Sequence, residues 1–148
     1  QGNLGSCTAN AFAGAHCLLQ VLKFNNIKYK PSRLYFYFKE RVLENKNNTI
    51  GLTDSGADVI DGLSYAFSKG IADESLWPYV TSNYNVVPPS SVDLNAMTHK
   101  ISSYSYLPID SNILITIKSV LTSNRPVLIA MNVYENFLNK KVKKIQKR

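Results

Sequence analysis

Histidine and cysteine are scarce in this chain: His16 and His99, Cys7 and Cys17 are the only ones among 148 residues. Both cysteines fall in one apolar run, where a helix would separate them by about 15 Å along its axis at 1.5 Å per residue. That lies far beyond disulfide reach, so no disulfide framework is expected and no oxidising compartment is demanded. No metal or cofactor is expected, and localisation stays unknown from sequence. No run of about 18 apolar residues occurs, so no bilayer span is predicted. No signal peptide precedes Gln1, and position 1 is not methionine, so the expectation is a processed product or a piece of a longer polypeptide.

Acidic residues are absent from positions 140–148, where Lys140, Lys141, Lys143, Lys144, Lys147 and Arg148 stand. The formal charge of +7 is therefore concentrated in a tail. The first 139 residues hold 11 basic against 10 acidic side chains, a net +1. A nearly neutral body argues against specific nucleic-acid binding. The tail reads as a solvated end, with an anionic-surface contact as the lesser alternative.

What is present suits one globular domain: 45% hydrophobic and 18% charged residues. Its organising stretch is Gln1-Gly2-Asn3-Leu4-Gly5-Ser6-Cys7, a glycine-containing loop that opens directly into an apolar helix. A thiol at a helix N-terminus is favoured as thiolate by the partial positive charge there. The backbone N–H of Cys7 and the side-chain amide of Gln1 could together serve an oxyanion. Read on spacing alone, the same loop is more readily an ordinary turn with Cys7 as a helix-capping bystander.

Residues 8–24 are apolar or small apart from His16, Gln20 and Lys23, which predicts a helix buried nearly all round and ended by Asn25 and Asn26. Pro31-Ser32 introduce a second helix over 33–43 with Ser32 as N-cap and an aromatic face. A third runs from Asp54-Ser55-Gly56-Ala57-Asp58 to Gly70, with Ser55 and Asp58 as a capping box. Residues 71–89 read as ordered loop. Strand, helix and strand are expected over 100–107, 111–123 and 127–134, with Asp110 or Ser111 capping that helix and Arg125-Pro126 turning into the last strand. Helices first and β-structure later give an α+β class, with a helical lobe over 1–90, the start of a β-rich second lobe over 91–139, and the basic tail over 140–148.

The motif order is similar to that of papain-family cysteine proteases, in the subgroup whose nucleophile segment reads Gly-Ser-Cys-Thr-Ala-Asn-Ala. Asp54-Ser55-Gly56-Ala57, then Gly70-Ile71, then Glu74 through Pro78-Tyr79, resemble that family's glycine motif, following helix and Glu-x-x-x-Pro-Tyr element. Pro126-Val127-Leu128-Ile129-Ala130 resembles the strand that opens the second lobe. The resemblance implies a papain-like fold and peptide-bond hydrolysis of a polypeptide substrate, with Cys7 as nucleophile and Gln1 in the oxyanion hole. Gly56 and Ala57 would pair with extended substrate, and Val59 would lie near a specificity pocket. Three departures stand out. Ala57 replaces a second glycine, Thr8 replaces a common tryptophan, and Leu4 and Asp54 occupy positions where many secreted members carry a disulfide.

The family also needs a histidine base and an orienting asparagine. His16 lies nine residues from Cys7, about 13 Å along a helix and on another face, and reads as a core histidine held by a hydrogen bond. His99 reads as an exposed loop residue. The expectation is a papain-like chain whose first lobe is largely complete and whose β-barrel lobe is incomplete, truncated before the catalytic histidine. An exposed apolar face should result, to be met by a protein partner or a missing C-terminal part. The alternative is an inactive papain-like remnant that binds peptides or proteins.

Overall fold

The computed structural model describes residues 1–25 and 27–134. The expected tail over 140–148 and the end of the second-lobe segment lie outside the described residues, as does Asn26. Five α-helices are described: α1 Cys7–Phe24, α2 Arg33–Glu44, α3 Val59–Ser68, α4 Ser90–Ala96 and α5 Ile113–Thr122, with one 3₁₀ turn at Thr81–Asn83.

Helix α2, rather than α1, is the buried one. Leu34, Tyr35, Phe36, Tyr37 and Phe38 are all inaccessible or nearly so, as are Glu40 and Arg41 further along. Both α1 and α3 pack against it, and α1 also touches α3. Leu4, Ala9 and Phe12 join Leu34, Phe36, Tyr37, Ala66 and Ile71 in the main core, and the Phe12 and Phe36 rings lie 4.8 Å apart. Tyr35 belongs to a second cluster with Ala72, Val92 and Ala96. Ser32 starts α2 as expected: its Oγ accepts from Tyr35 N at 3.2 Å and donates to Trp77 O at 2.6 Å. Because Ser32 is fully buried, Ser32→Ala strands an amide and a carbonyl. Its unfolding free energy should fall by about 2 kcal/mol, read as a lower urea midpoint at unchanged slope.

Three expectations need correction. Helix α1 buries one face only, through Ala9, Phe12, Ala13 and His16, while Cys7, Ala11, Gly14, Leu18 and Leu22 form an exposed stripe at helical spacing. Apolar composition alone does not say which face has a neighbour. Helix α3 starts at Val59, with Asp58 as its N-cap through a 2.6 Å bond from Ile60 N, and Ser55 turns its hydroxyl to Gly56 O instead. The positive φ of Gly56, +80°, keeps the helix from beginning earlier. Gly70, at φ +83°, follows the end of α3 as expected.

The third correction concerns β-structure. Among the described residues the only pairing is a single antiparallel bridge between Pro31 and Asp73, and residues 100–107 and 127–134 carry no regular structure. An alternating pattern gives a segment the capacity to pair, but a strand forms only against another edge. Helix α5 is present where expected, but Asn112 rather than Asp110 or Ser111 stands at its cap, without a side-chain cap bond, and Asp110 Oδ1 accepts from Asn112 N at 2.8 Å in the preceding turn. Helix α4 lies in a stretch that had no helix assigned; it is seven residues long, below what periodicity can resolve.

Candidate active site

The loop before α1 is held by a directed chain of hydrogen bonds. Asn10 Nδ2 donates to Ser6 Oγ at 3.1 Å and to Ser6 O at 2.9 Å. Ser6 Oγ and Tyr79 Oη lie 2.5 Å apart, and Tyr79 Oη donates to Gln1 O at 3.1 Å. Each hydroxyl has one proton, so the order runs Asn10 to Ser6 to Tyr79 to Gln1. Tyr79 is itself fixed by Glu74, whose Oε1 accepts from Tyr79 N at 3.2 Å and from Arg33 at 2.7 Å. The Arg33 guanidinium covers the Tyr79 ring at 4.4 Å.

This arrangement shapes the helix start. Ser6 occupies the N-cap position of α1, yet its side chain makes no cap bond because its hydroxyl is turned to Tyr79. The first-turn amides of α1 are therefore left without a side-chain acceptor, beside an exposed Cys7. Gln1 Nε2 spends one of its two protons on Leu4 O at 3.1 Å, and the amide has a second to give.

Asp54 and Gly56 pack against this loop. A Cβ at Gly5 would lie 3.0 Å from Asp54 Oδ1, 3.3 Å from Gly56 N and 3.4 Å from Gly56 Cα. The two glycines thus let the backbones touch.

Behind the first turn of α1 stands Glu40, fully buried, with Oε2 accepting from Thr8 Oγ1 at 2.9 Å and Oε1 without a partner. Gly62 on α3 is what gives it room, since a Cβ there would collide with Oε1. Burial is the main reason its carboxyl is pushed up to about 8 from an ordinary 4.5. Glu44 and Asp61 push the same way, and Thr8 and Arg41 act against them. The folded state therefore holds an extra proton between about pH 4.5 and 8, so Glu40's contribution is complete below that window and is lost as pH rises through it. His16 acts in another window: burial first, then His99, lowers it from 6.5 to about 4, so its contribution is present above pH 6.5 and lost as pH falls. Between pH 6.5 and 8 only Glu40 of the pair acts. The melting temperature should fall by roughly 5 °C across that interval, corresponding to about 2 kcal/mol, and Glu40→Gln should flatten the decline.

Two comparisons bear on this site. A mimivirus protein described as an uncharacterized peptidase C1-like protein, from Acanthamoeba polyphaga mimivirus, is 34% identical over 149 residues, covering 97% of this chain and 47% of the relative. The crystal structure of xylellain, a cysteine protease from Xylella fastidiosa, superposes with a TM-score of 0.72 at 30% identity, covering 83% of this chain and 48% of that one. The chain is related to papain-like cysteine proteases. It spans about half the length of the relatives it matches. No family model matches it.

Within this papain-like frame the structure brings together most of the residues singled out from sequence. Cys7 is exposed at the start of α1, Gln1 lies at the head of the same loop, and Gly56 abuts Gly5. Ala57 is half-buried against the core, and Val59 is the half-buried first residue of α3.

The histidines stand apart from this group. His16 is in the core as expected, packed on Tyr29 with ring centroids 5.4 Å apart, and its Nδ1 has no hydrogen-bond partner. His99 is half-buried rather than exposed, stacked on the other side of Tyr29 at 4.1 Å with its Nδ1 near Thr98 Oγ1 and Asn95 O. Both belong to a cluster about 13 Å along α1 from Cys7.

Tyr79, Asp54 and Glu40 make contacts with the loop and the first turn of α1 that sequence reasoning did not reach. Tyr79 and Asp54 were visible only as parts of matching motifs, and Glu40 carried no signal beyond its place in an aromatic helix. Among the described residues no group of three His, Cys, Asp or Glu side chains is placed to hold a metal, and no helix is long and apolar enough to cross a membrane.

Proposed function

We propose that this chain carries the nucleophile side of a cysteine-type peptidase active site. The observation that carries the reading is the start of α1: an exposed Cys7 beside first-turn amides that the Ser6 hydroxyl, held by Tyr79, does not cap. The Cys7 thiolate attacks the scissile carbonyl carbon, forming a C–S bond while the carbonyl oxygen becomes an oxyanion. Cys7 N–H and the second Gln1 Nε2 proton stabilise that charge. The C–N bond then breaks, the leaving amine takes a proton, and water hydrolyses the thioester to release the acid and restore the thiol.

The substrate is an extended polypeptide. Gly56 and Ala57 offer their backbone to it, and Val59 borders the pocket for an apolar side chain. Residues 1–90, with α4 packed on Tyr35 through Val92 and Ala96, form the wall bearing the nucleophile. Neither histidine present serves as the base in this reading, since both pack on Tyr29. The chain by itself is therefore reactive toward electrophiles without turning over peptides. Treatment with a peptidyl epoxide followed by peptide mapping tests this. An adduct concentrated on Cys7 supports the reading, and slow modification of Cys7 and Cys17 at equal rates rejects it.

A further inference from the structure

The contact between the nucleophile loop and the Gly56 segment passes through one carboxylate. Asp54 Oδ1 and Oδ2 accept from Gly5 N at 2.9 and 3.1 Å. Tyr37 Oη donates to Asp54 Oδ1 at 2.5 Å and accepts from Gly56 N at 3.1 Å. One acid group thus fixes Gly5, two residues before Cys7, and through a phenol fixes Gly56, two residues after itself. The phenol is not free to wander. Tyr37 is fully buried on α2, and the Arg41 guanidinium lies over its ring at 4.1 Å. Arg41 in turn donates to Tyr37 O at 3.2 Å, to Thr53 O at 2.8 Å and to Tyr84 O, so the backbone entering Asp54 is anchored as well.

We propose that Asp54 is a positioning residue that sets the distance between the Cys7 thiol and the backbone that aligns substrate, acting through Gly5 on one side and Tyr37 and Gly56 on the other. The proposal rests on the peptidase reading above and names the device that keeps its two halves in register. A carboxylate has the right charge for this role, since it accepts several N–H and O–H bonds at once, more strongly than a neutral group, and Arg41 supplies a compensating cation nearby. Its location is suitable too. Asp54 is exposed, outside the apolar core, so its loss shifts the loops relative to one another rather than opening a cavity.

The test compares two reagents on the full 148-residue chain: a peptidyl epoxide, which must align along Gly56 to reach the thiol, and iodoacetamide, which need not. In Asp54→Ala the peptidyl epoxide should label Cys7 about tenfold more slowly or worse, with iodoacetamide labelling within about twofold of wild type. Tyr37→Phe keeps the ring under Arg41 and should give a smaller loss of the same kind. If Asp54→Ala does not fold, Tyr37→Phe carries the comparison. Equal slowing by both reagents would make Asp54 merely structural, and an unchanged peptidyl rate would remove the proposed role altogether.

Amide hydrogen exchange at Gly5 and Gly56 distinguishes the two layers of the claim. A wild-type chain that shows no preference for the peptidyl reagent overturns the peptidase reading. Faster exchange at both glycines in Asp54→Ala would still uphold the clamp, and unchanged exchange would overturn it.

Discussion

Cys7→Ala should abolish modification of the chain by a peptidyl epoxide, although Cys17 remains. The two thiols differ in surroundings: Cys7 is exposed at the first position of α1, whereas Cys17 is partly buried in the middle of the helix. Only Cys7 stands at a helix start whose N-cap side chain makes no cap bond, and under the proposed reading the Gly56 segment that meets Gly5 aligns the peptide. Intact-mass measurement should show a single adduct on the wild-type chain and none on the variant. The chain should release no measurable product from a fluorogenic peptide, because a peptidase nucleophile without its base loses several orders of magnitude in rate. Turnover by the 148 residues alone would show that they hold a working base and would overturn the reading that the chain by itself does not turn over peptides.

The second large effect is on stability. Gly70→Ala should destabilise the chain by on the order of 3–5 kcal/mol, enough to leave a domain of ordinary stability largely unfolded. Two causes combine. Gly70 has φ +83°, a conformation that other residues adopt at a cost, and a Cβ there would run into the Ala96 carbonyl while lying 3.0 Å from His99 O. The obstacle is backbone at the end of α4, not a flexible side chain that can swing away. The expected result is a collapse of the thermal transition with loss of helical circular dichroism. Gly14→Ala is the control, since nothing lies within 4 Å of a Cβ at that exposed helical position, and alanine there should be neutral or stabilising.

The helical framework was legible where local chemistry decides it. Ser32 caps α2 because a hydroxyl before a periodic run has an amide to accept from, and Gly70 marks the end of α3 because the chain must turn left-handed there. The loop from Gln1 to Cys7 was legible as one feeding a helix, and α1 does start at Cys7. What local sequence does not contain is the partner across the fold. Alternating residues at 100–107 and 127–134 describe a capacity to pair, but no described edge meets them. The all-apolar look of α1 concealed that one face has no neighbour among the described residues, and the truly enclosed helix was the one bearing Glu40 and Arg41. Asp54 and Tyr79 act over separations of 49 and 78 residues, and no periodicity reports such contacts.

The exposed stripe on α1 has a consequence for how this protein can vary. Cys7, Ala11, Gly14 and Leu18 face outward while Ala9, Phe12, Ala13 and His16 face the core, so the helix divides its residues between two duties by angle alone. A substitution at Ala11, one turn from Cys7 on the outer row, changes what can approach the sulfur and leaves the inner row's packing intact. A substitution on the inner row does the reverse. Reactivity and foldedness are thereby written on separate faces of one rod, and selection can tune either with little interference from the other.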